Sequence, residues 1–282
     1  RAGMLDAALA RARRVVTPAD ELIVVDGQSS DGTAQVIAAH RDLVDHVICE
    51  KDRSAADALN KGMLRARGIY IRHMCDDDVV HRDGLDQAIA MMDAHPDVGL
   101  MVCGGTKSIE GRTTAVYLPP NVHYGASIAD VFDYGACGAG FVIRRSALAR
   151  IGLMHPTAPL ADNEFALQAI SRGAGVRFAR VNLFHHPVFA HSYTVRLRDA
   201  CAAHALAMAR GYGSRAFYLW YRLRLHGERM PLLRLIIWPA RAAELVVRRR
   251  WWKLRSRWEV MGWQPAAASG QDEPVVWDGG LS

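Results

Sequence analysis

The sequence predicts an α/β protein with a mostly parallel sheet, helices on both of its faces and a helical extension at the C-terminal end. Short apolar runs rich in β-branched residues alternate with amphipathic helical patterns through residue 100, which is typical of successive strand–helix–strand units. Acidic residues follow two of these runs directly, at the position where open α/β sheets bind ligands. From Arg196 onward the pattern is helical, with breaks at 211–213, Pro231 and Pro239.

The predicted elements follow one another closely along the first hundred residues. Helices are expected at residues 2–16, 33–40, 54–66 and 83–94, and strands at 22–25, 46–49, 69–74 and 98–103. Each strand is a run of apolar residues, whereas each helix repeats apolar residues three and four positions apart. Further along, strands are expected at 141–143 and 176–183, and a helix at 162–170.

The composition and charge of the sequence limit the classes of protein to which the chain can belong. Half of the 282 residues are hydrophobic, which is enough for a substantial core. Five scattered cysteines, never spaced as Cys-x-x-Cys, argue against a disulfide framework or a zinc ribbon and fit a reducing cytosol. Residues 196–258 contain 15 of the 35 Lys and Arg but three acids, a local charge of +12, so the remainder carries −6. An acidic body with a basic extension predicts an anionic partner separate from the active site.

The first acidic strand end lies in residues 21–33. The apolar run from Leu22 to Val25 ends at Asp26, and a polar turn then leads into a helix at Thr33. A carboxylate in this position is placed to contact a ligand, although a turn or helix-capping aspartate is the alternative. Asp31, next to Gly32 and Thr33, is better explained as the helix cap.

The second acidic strand end is the run Cys75-Asp-Asp-Asp78, which follows the strand-like segment 68–74. Three adjacent carboxylates repel one another unless a cation or hydrogen-bond donors share them. Mg²⁺ or Mn²⁺ prefers such oxygens and leaves room for diphosphate oxygens. The two strand ends together suggest a nucleotide at one and its metal-bound diphosphate at the other, and an exposed acidic turn is the alternative for the second.

Three segments resemble the motifs of family 2 glycosyltransferases, which are inverting, nucleotide-sugar-dependent enzymes of the Rossmann-like GT-A fold. They are Val25-Asp-Gly-Gln-Ser-Ser-Asp-Gly-Thr33, Ser54-Ala-Ala-Asp-Ala-Leu-Asn-Lys-Gly62 and Asp76-Asp-Asp78. The resemblance extends from residue 1 to about residue 195. It implies a first strand before the helix at 2–16, and the sequence lacks that strand, so we expect a weaker sheet and a weaker donor site.

The resemblance also implies roles for individual residues. The nucleotide and donor contacts it implies are Asp26, Asp57, Lys61 and Asp76, and the metal ligands are Asp77, Asp78 and His191. Arg53 is a further candidate for a phosphate contact. Asp57 and Lys61 are also four residues apart on a helix, so a surface ion pair is an equal alternative for them.

Two observations affect which residues we predict as metal ligands. Cys75 stands where the family often has an aspartate, which leaves the register of the acidic run open, with Asp77 as the best-aligned ligand. His185 and His186 are adjacent on a strand and face opposite ways, so a shared ion is not expected. The resemblance instead favours a histidine just past the last strand, and His191 is best placed.

The catalytic base implied by the resemblance is Asp162. Family members carry an acidic pair there, and Ala161 replaces its glutamate in this chain. Inversion requires one carboxylate to deprotonate the acceptor hydroxyl as it attacks the anomeric carbon opposite the leaving group. The alternatives are that Asp162 caps the following helix while Glu164 interacts with its dipole, or that Glu164 is the base.

The segment 248–258 interleaves arginine with tryptophan. This composition suits a helix in an anionic membrane interface. Nucleic-acid binding and a packed helical pair with a solvated basic face are the alternatives. We predict a membrane surface and no nucleic acid as the partner.

The sequence therefore predicts a metal-dependent inverting glycosyltransferase that moves a sugar from a nucleotide-diphosphate donor, UDP-linked, to a glycan or lipid-linked acceptor in cell-surface polysaccharide synthesis. The expected domains are 1–195 (catalytic), 196–264 (basic helical extension) and 265–282 (loose tail), in a cytoplasmic protein at the inner face of the plasma membrane. One alternative is a nucleotidyl- or phosphoryl-transfer enzyme of similar fold, although no phosphate-cradling glycine loop with lysine follows a strand. The other is a non-catalytic membrane-surface module.

Overall fold

A computed structural model describes residues 1–109, 112–116, 123–124, 126–188 and 196–229. The residues up to Tyr221 form one compact unit, and those from Arg222 onward group separately. The predicted domain boundaries at residues 195 and 264 stay predictions, and the predicted loose tail at 265–282 lies outside the described residues.

The helices of the described residues are α1 (Ala2–Ala12), α2 (Thr33–Ala39), α3 (Ala55–Arg65), α4 (Arg82–Ala94), α5 (Ile128–Tyr134), α6 (Leu148–Ile151), α7 (Ala161–Ser171), α8 (Arg198–Tyr212) and α9 (Arg215–Arg229). The strands are β1 (Ile23–Asp26), β2 (His46–Cys49), β3 (Tyr70–Arg72), β4 (Val79–Val80), β5 (Leu100–Ile109), β6 (Arg112–Val116), β7 (His123–Tyr124), β8 (Phe141–Arg144) and β9 (Val176–Val188). Helix α1 ends four residues earlier than predicted, because two β-branched residues and the Thr17-Pro18 pair follow it and disfavour helix.

Strands β1 and β2 form a small parallel sheet of their own, with Ile23 opposite His46 and Asp26 opposite Cys49. Among the described residues this pair shares no hydrogen-bond ladder with the larger sheet. A separate apolar cluster stabilises it, in which Val24 of β1 packs with Leu9 of α1. The N-terminal part of the fold is therefore held by helix packing as much as by strand pairing.

The second sheet has seven strands in the order β3–β8–β5–β9–β4, with β6 paired to β5 and β7 to β9. Only β5 and β9 pair in parallel within it, whereas the other pairs are antiparallel. The predicted α/β class is confirmed, and the sheet is mixed, because one of the six strand pairs described in it is parallel and five are antiparallel. Short strands such as β4 and β6 were not predicted.

Helices cover both faces of this sheet, as predicted. On one face Met92 of α4 packs with Val142 of β8 and Ala179 of β9. On the other face Phe141, the neighbour of Val142, contacts Phe165 of α7, with ring centroids 5.9 Å apart. The alternation of side chains along β8 therefore joins two apolar layers through one strand.

Strands β5 and β9 are longer than predicted because they pair along nearly their whole length, with register shifts next to Gly104. Gly175 leads into β9 with a positive φ of 65°, and a β-carbon there would lie 2.0 Å from the carbonyl oxygen of Asp97. Only glycine fits this entry. The extension of β9 places His185 and His186 within the sheet.

The predicted helical extension is present as α8 and α9, which meet at Gly213. None of the helices in the described part of the chain is long and apolar enough to cross a bilayer. The basic, tryptophan-rich segment 248–258 lies outside the described residues.

Candidate active site

Asp26 ends β1 and turns its carboxylate into the loop that follows. The backbone N–H of Ser29 donates to it at 3.2 Å, the hydroxyl of Ser29 at 2.5 Å and the thiol of Cys49 at 3.5 Å. Gln28, which lies between Asp26 and Ser29, has a positive φ of 66°, and this conformation makes the turn tight. Asp26 is thus held at the strand end by donors from Ser29 and Cys49.

The start of α3 forms the second half of this region. Ser54 caps the helix by accepting the N–H of Asp57 at 3.2 Å, and its own hydroxyl donates to the carbonyl oxygen of Pro156. The guanidinium of Arg53 donates to both carboxylate oxygens of Asp57, at 3.2 and 2.9 Å, and lowers the pKa of Asp57 to about 2. Asp57 is therefore a carboxylate at every physiological pH.

The ion pair expected between Asp57 and Lys61 as one alternative is wrong. The ammonium group of Lys61 instead donates to the carbonyl oxygens of Glu50 and Lys51, at 3.1 and 2.8 Å. The guanidinium of Arg53 occupies the carboxylate of Asp57 from the preceding turn. Lys61 thus fixes the segment that follows β2, and Asp57 is paired from the other side.

The acidic run after β3 is organised differently from the region around Asp26. Asp78 is 3% exposed and accepts the backbone N–H of Cys75 at 3.1 Å. The sulfur of Cys75 and carboxylate oxygens of Asp77 and Asp78 all lie within 4.8 Å of one another. Burial, followed by the charge of Asp78, raises the pKa of Asp77. Two carboxylates and a thiol therefore converge with too little positive charge between them.

A histidine from the far end of the sheet contacts this cluster. The Nδ1 atom of His186 on β9 lies 2.8 Å from a carboxylate oxygen of Asp78, and this hydrogen bond raises the pKa of His186. His185, its neighbour, points away and contacts the hydroxyls of Thr106 and Ser108 at 2.9 and 3.1 Å. The two histidines face opposite ways, as predicted, so they do not share an ion.

Asp76 and Asp77 have different neighbours in the structure. The guanidinium of Arg1 contacts the carboxylate of Asp76, and the amino group of Arg1 contacts Asp31 in the loop after β1. Arg11 of α1 donates to the backbone oxygen of Asp76 at 3.2 Å. The side chains of Arg1 and Arg11 thus contact Asp76, whereas the carboxylate of Asp77 lies near the side chains of Cys75 and Asp78.

Asp162 is the second residue of α7, and Leu160 is the N-cap residue, so the capping alternative for Asp162 is wrong. Its carboxylate accepts the N–H of Gly138 at 3.2 Å and the N–H of Asn163 at 2.8 Å. Burial raises the pKa of Asp162. Glu164 points to α8, where it lies 3.4 Å from the imidazole of His204.

Cys137 lies within the field of both acidic centres. Burial, then the charges of Asp162 and Asp78, raise the pKa of its thiol. Asp162 and the acidic run therefore both lie close enough to Cys137 for their charges to act on its thiol. Carboxylates with a raised pKa are common in catalytic sites.

Comparison with models of protein families shows to which family the chain belongs. A model of the family described as "Glycosyl transferase family 2" matches residues 1–152. The chain belongs to this family. A segment of 75 residues is 33% identical to the putative teichuronic acid biosynthesis glycosyltransferase TuaG of Bacillus subtilis (strain 168), and it covers 26% of this chain and 30% of that relative.

Solved structures share the GT-A fold with this family 2 glycosyltransferase. Residues 1–349 of S. aureus TarS in complex with UDP-GlcNAc match with a TM-score of 0.58 at 13% identity, over 80% of this chain and 69% of that one. The same TarS segment without ligand is covered to 61%. The mannosyltransferase PcManGT from Pyrobaculum calidifontis, in complex with GDP-Man and Mn²⁺, matches with a TM-score of 0.58 at 18% identity, over 90% of this chain and 77% of that one.

Among the sequence candidates of this family 2 glycosyltransferase, His191 lies outside the described residues. The histidine that the structure places at the acidic cluster is His186, which sequence reasoning missed because 108 residues separate it from Asp78. The signal that could have found it is its place on the last strand, whose neighbour in the sheet is the strand that directly follows the acidic run.

Proposed function

We propose that this protein is an inverting, metal-dependent glycosyltransferase that transfers a sugar from a nucleotide-diphosphate donor, UDP-linked, to a glycan or lipid-linked acceptor in cell-surface polysaccharide synthesis. The observation that carries the proposal is that two acidic centres act on the same thiol, that of Cys137. One is the cluster of Cys75, Asp77 and Asp78, and the other is the carboxylate of Asp162. The name of the TuaG relative and the donor bound to TarS agree with this substrate class.

The cluster fits a divalent cation. Its ligand atoms are close enough to share one ion, and burial, followed by the charge of Asp78, raises the pKa of Asp77. Asp77 and Asp78 supply the hard oxygens that Mg²⁺ or Mn²⁺ prefers, and the sulfur of Cys75 suits Mn²⁺ better than Mg²⁺. When bound, the ion would offset the charge that develops on the departing diphosphate.

The nucleotide would lie toward β1. Asp26 at the strand end and Asp57 at the start of α3 offer carboxylate oxygens to N–H and O–H groups of the base and ribose. Arg53, held against Asp57, offers a cation near phosphate. Asp76, in contact with Arg1, lies between this region and the metal-ligating cluster. These assignments follow the order in which the nucleoside, the diphosphate and the sugar are joined in the donor molecule.

Asp162 would act as the base. The backbone and side-chain N–H groups of Asn163 hold one carboxylate oxygen in place, and the other oxygen accepts from the N–H of Gly138 and keeps one lone pair for the acceptor. The acceptor hydroxyl gives its proton to Asp162, its oxygen forms a bond to the anomeric carbon from the face opposite the nucleotide, and the bond pair leaves with the nucleoside diphosphate. The configuration at the anomeric carbon is thereby inverted.

The experiment that tests this function is a panel of UDP-GlcNAc, UDP-glucose and GDP-mannose with Mn²⁺, with Mg²⁺ and with EDTA. We expect a thermal shift with a UDP-sugar that requires the metal, and slow release of UDP through transfer to water. The absence of a shift with every nucleotide sugar in both metals would contradict the proposal. Release of UMP instead of UDP would favour the nucleotidyl- or phosphoryl-transfer alternative.

The proposed setting is the inner face of the cytoplasmic membrane. Helix α9 supports it, because Leu219, Trp220 and Leu223 are exposed large apolar side chains on a helix with four arginines. Arginine near an anionic surface contributes about 1 kcal/mol per residue, and salt weakens this attraction. Co-sedimentation of the full chain with anionic vesicles at low salt, and loss of it at high salt or with neutral vesicles, is the expected result. A full chain that ignores anionic vesicles at low salt would place the acceptor in solution.

A further inference from the structure

His73 is a buried histidine with no hydrogen bond on its ring. It follows β3 directly, its side chain is 4% exposed, and neither ring nitrogen has a hydrogen-bond partner among the described residues. The ring lies on the α7 face of the sheet, beside Phe141, with the ring centroids 6.2 Å apart. A polar ring in this apolar layer requires a reason.

The imidazole of His73 is buried, and both of its ring nitrogens lack a hydrogen-bond partner among the described residues. A neutral imidazole carries one N–H donor and one acceptor nitrogen. Leaving both unpaired in a buried layer destabilises a fold, and most buried polar groups therefore have a partner, which is often an ordered water. The ring of His73 therefore has room for a small polar partner that the described residues do not supply.

Gly138 shows where that partner fits. A β-carbon on Gly138 would lie 3.9 Å from Nδ1 of His73 and 3.7 Å from the β-carbon of Asp162, so the space above this glycine is bordered by both side chains. The N–H of Gly138 also donates to the carboxylate of Asp162. The volume that a side chain would fill is therefore open between an unpaired imidazole and the proposed base.

We propose that His73, Asp162 and the open face of Gly138 enclose a site for a single hydroxyl oxygen, which holds water in the resting protein and the attacking acceptor hydroxyl during transfer. The second half of this statement rests on the proposed function of Asp162. In the reaction the hydroxyl proton passes to Asp162, the oxygen bonds to the anomeric carbon, and the diphosphate leaves with the electron pair. His73 keeps its proton throughout and donates its N–H to the other lone pair of the same oxygen.

The chemistry explains why a histidine serves here. A charged side chain would compete with Asp162 for the hydroxyl proton or form an ion pair with it, whereas a neutral N–H holds the oxygen and leaves its proton to the base. The aromatic contact with Phe141 fixes the ring plane. His73 is thus a positioning residue that touches the nucleophile, and it selects a hydroxyl group over an apolar one.

The first test is crystallographic and does not depend on activity. Crystal structures of the whole chain and of Gly138→Ala, at a resolution that shows ordered water, should differ at one point. In the wild type we expect a water within about 2.7–3.2 Å of a ring nitrogen of His73 and of a carboxylate oxygen of Asp162. Alanine at 138 meets only ordinary contacts and should displace this water. Gly3→Ala, whose β-carbon meets nothing within 4 Å, is the matched control and should retain it.

A wild-type structure with no ordered oxygen at this point, or with protein groups on both ring nitrogens, would overturn the site. The second test measures hydrolysis of the donor selected by the nucleotide-sugar panel, because water then takes the place of the acceptor hydroxyl. His73→Phe should slow hydrolysis by about 10- to 100-fold, which is the worth of one lost hydrogen bond in a buried site. His73→Gln, which keeps an N–H donor, should restore most of the rate.

Affinity for the donor should be unchanged in both variants, and the Tm of His73→Phe should equal or exceed that of the wild type, since an unpaired polar ring is replaced by an apolar one. A wild-type rate for His73→Phe would refute the role in transfer. If the wild type hydrolyses no donor, the proposed function fails, and the crystal structures still decide whether the oxygen site exists.

Discussion

The two acidic strand ends of this protein are similar in sequence and opposite in electrostatics. At the end of β1, Asp26 accepts from Ser29, and at the start of α3 the guanidinium of Arg53 lowers the pKa of Asp57 to about 2. At the end of β3, burial and a neighbouring carboxylate raise the pKa of Asp77. In the first region Asp57 is paired with a cation of the protein, whereas Asp77 has no ion pair among the described residues.

This difference indicates which ligand each region takes. Carboxylates that are already paired can accept hydrogen bonds from a nucleoside without large reorganisation. A carboxylate whose pKa is raised by burial and by a neighbouring carboxylate gains most from a cation, since the ion stabilises its charged form. The comparison therefore predicts a neutral hydrogen-bonding ligand at Asp26 and Asp57, and a metal at Asp77 and Asp78.

The largest expected effect is at Asp162. Asp162→Asn keeps the shape of the side chain and removes the base, so transfer should fall by about two to four orders of magnitude with donor affinity near that of the wild type. Steady-state kinetics and UDP titration measure the two quantities separately. Transfer within a few-fold of wild type would return Asp162 to a structural role at the start of α7.

The pH dependence of the same residue sharpens this prediction. The base has to be ionised, and burial raises the pKa of Asp162, so the rate should rise with pH through a value above that of an ordinary aspartate. A raised pKa in the folded state contributes stability at low pH that is lost as pH rises through it. Asp162→Asn should therefore be at least as stable as the wild type at neutral pH, and a clear loss of Tm would contradict this assignment.

The next effect is at Asp77, which separates metal from nucleotide. In the wild type, Mn²⁺ should strengthen UDP binding by tenfold or more, on the order of one charge-assisted contact. Asp77→Asn should bind UDP with nearly equal affinity in Mn²⁺ and EDTA, and without metal it should melt at a higher temperature because its repulsion with Asp78 is gone. Asp42→Asn, which removes a surface carboxylate paired with Arg13, is the control. Equal UDP affinity of the wild type with and without EDTA would contradict the predicted metal site at Asp77 and Asp78.

A smaller effect is expected at Asp57. Asp57→Asn removes one charged acceptor from the nucleotide side, so UDP affinity should weaken by about tenfold while the stimulation by Mn²⁺ is unchanged. Isothermal titration in both conditions measures this. If the affinity is unaltered, the ion pair with Arg53 is only a feature of the helix start. If the metal dependence also disappears, the two regions are not separate.

The smallest effect is at Cys75. Cys75→Asp replaces a soft ligand by a hard one, and the preference for Mn²⁺ over Mg²⁺ should shift toward Mg²⁺ by a few-fold. Competition between the two ions in UDP binding measures the shift. An unchanged preference would show that the thiol of Cys75 lies beside the ion without contacting it.

The sequence predicted strands well where the chain itself determines them. The bounds of β2 were predicted to the residue, because a short β-branched run lies between polar turns. The missed strand β4 has only two residues and exists because β9 pairs with it. Its partner is a hundred residues away, so no local pattern could reveal it. Pairing with β5 extends β9 beyond its predicted end, and the antiparallel pairs of β8, β6, β7 and β4 make the sheet mixed instead of mostly parallel.

The candidate site shows the same division. The positions of Asp26, the acidic run and Asp162 could be found because each lies directly at the end of a strand or at the start of a helix. The partners of these residues could not. Lys61 contacts two carbonyl oxygens instead of Asp57, and His186 reaches Asp78 across the sheet. Such contacts depend on tertiary packing, and they cannot be predicted from the number of residues that separate two partners in the sequence.

The separation of β1 and β2 from the larger sheet has a consequence for local unfolding. Amide hydrogens of these two strands are protected by one short ladder and one small apolar cluster, so they should exchange with solvent through openings of lower free energy than those of β5 and β9. The half of the protein assigned to the nucleotide is then also the half that opens most readily. Part of the intrinsic binding free energy would be spent on closing it, and the apparent affinity would reflect the population of the closed form.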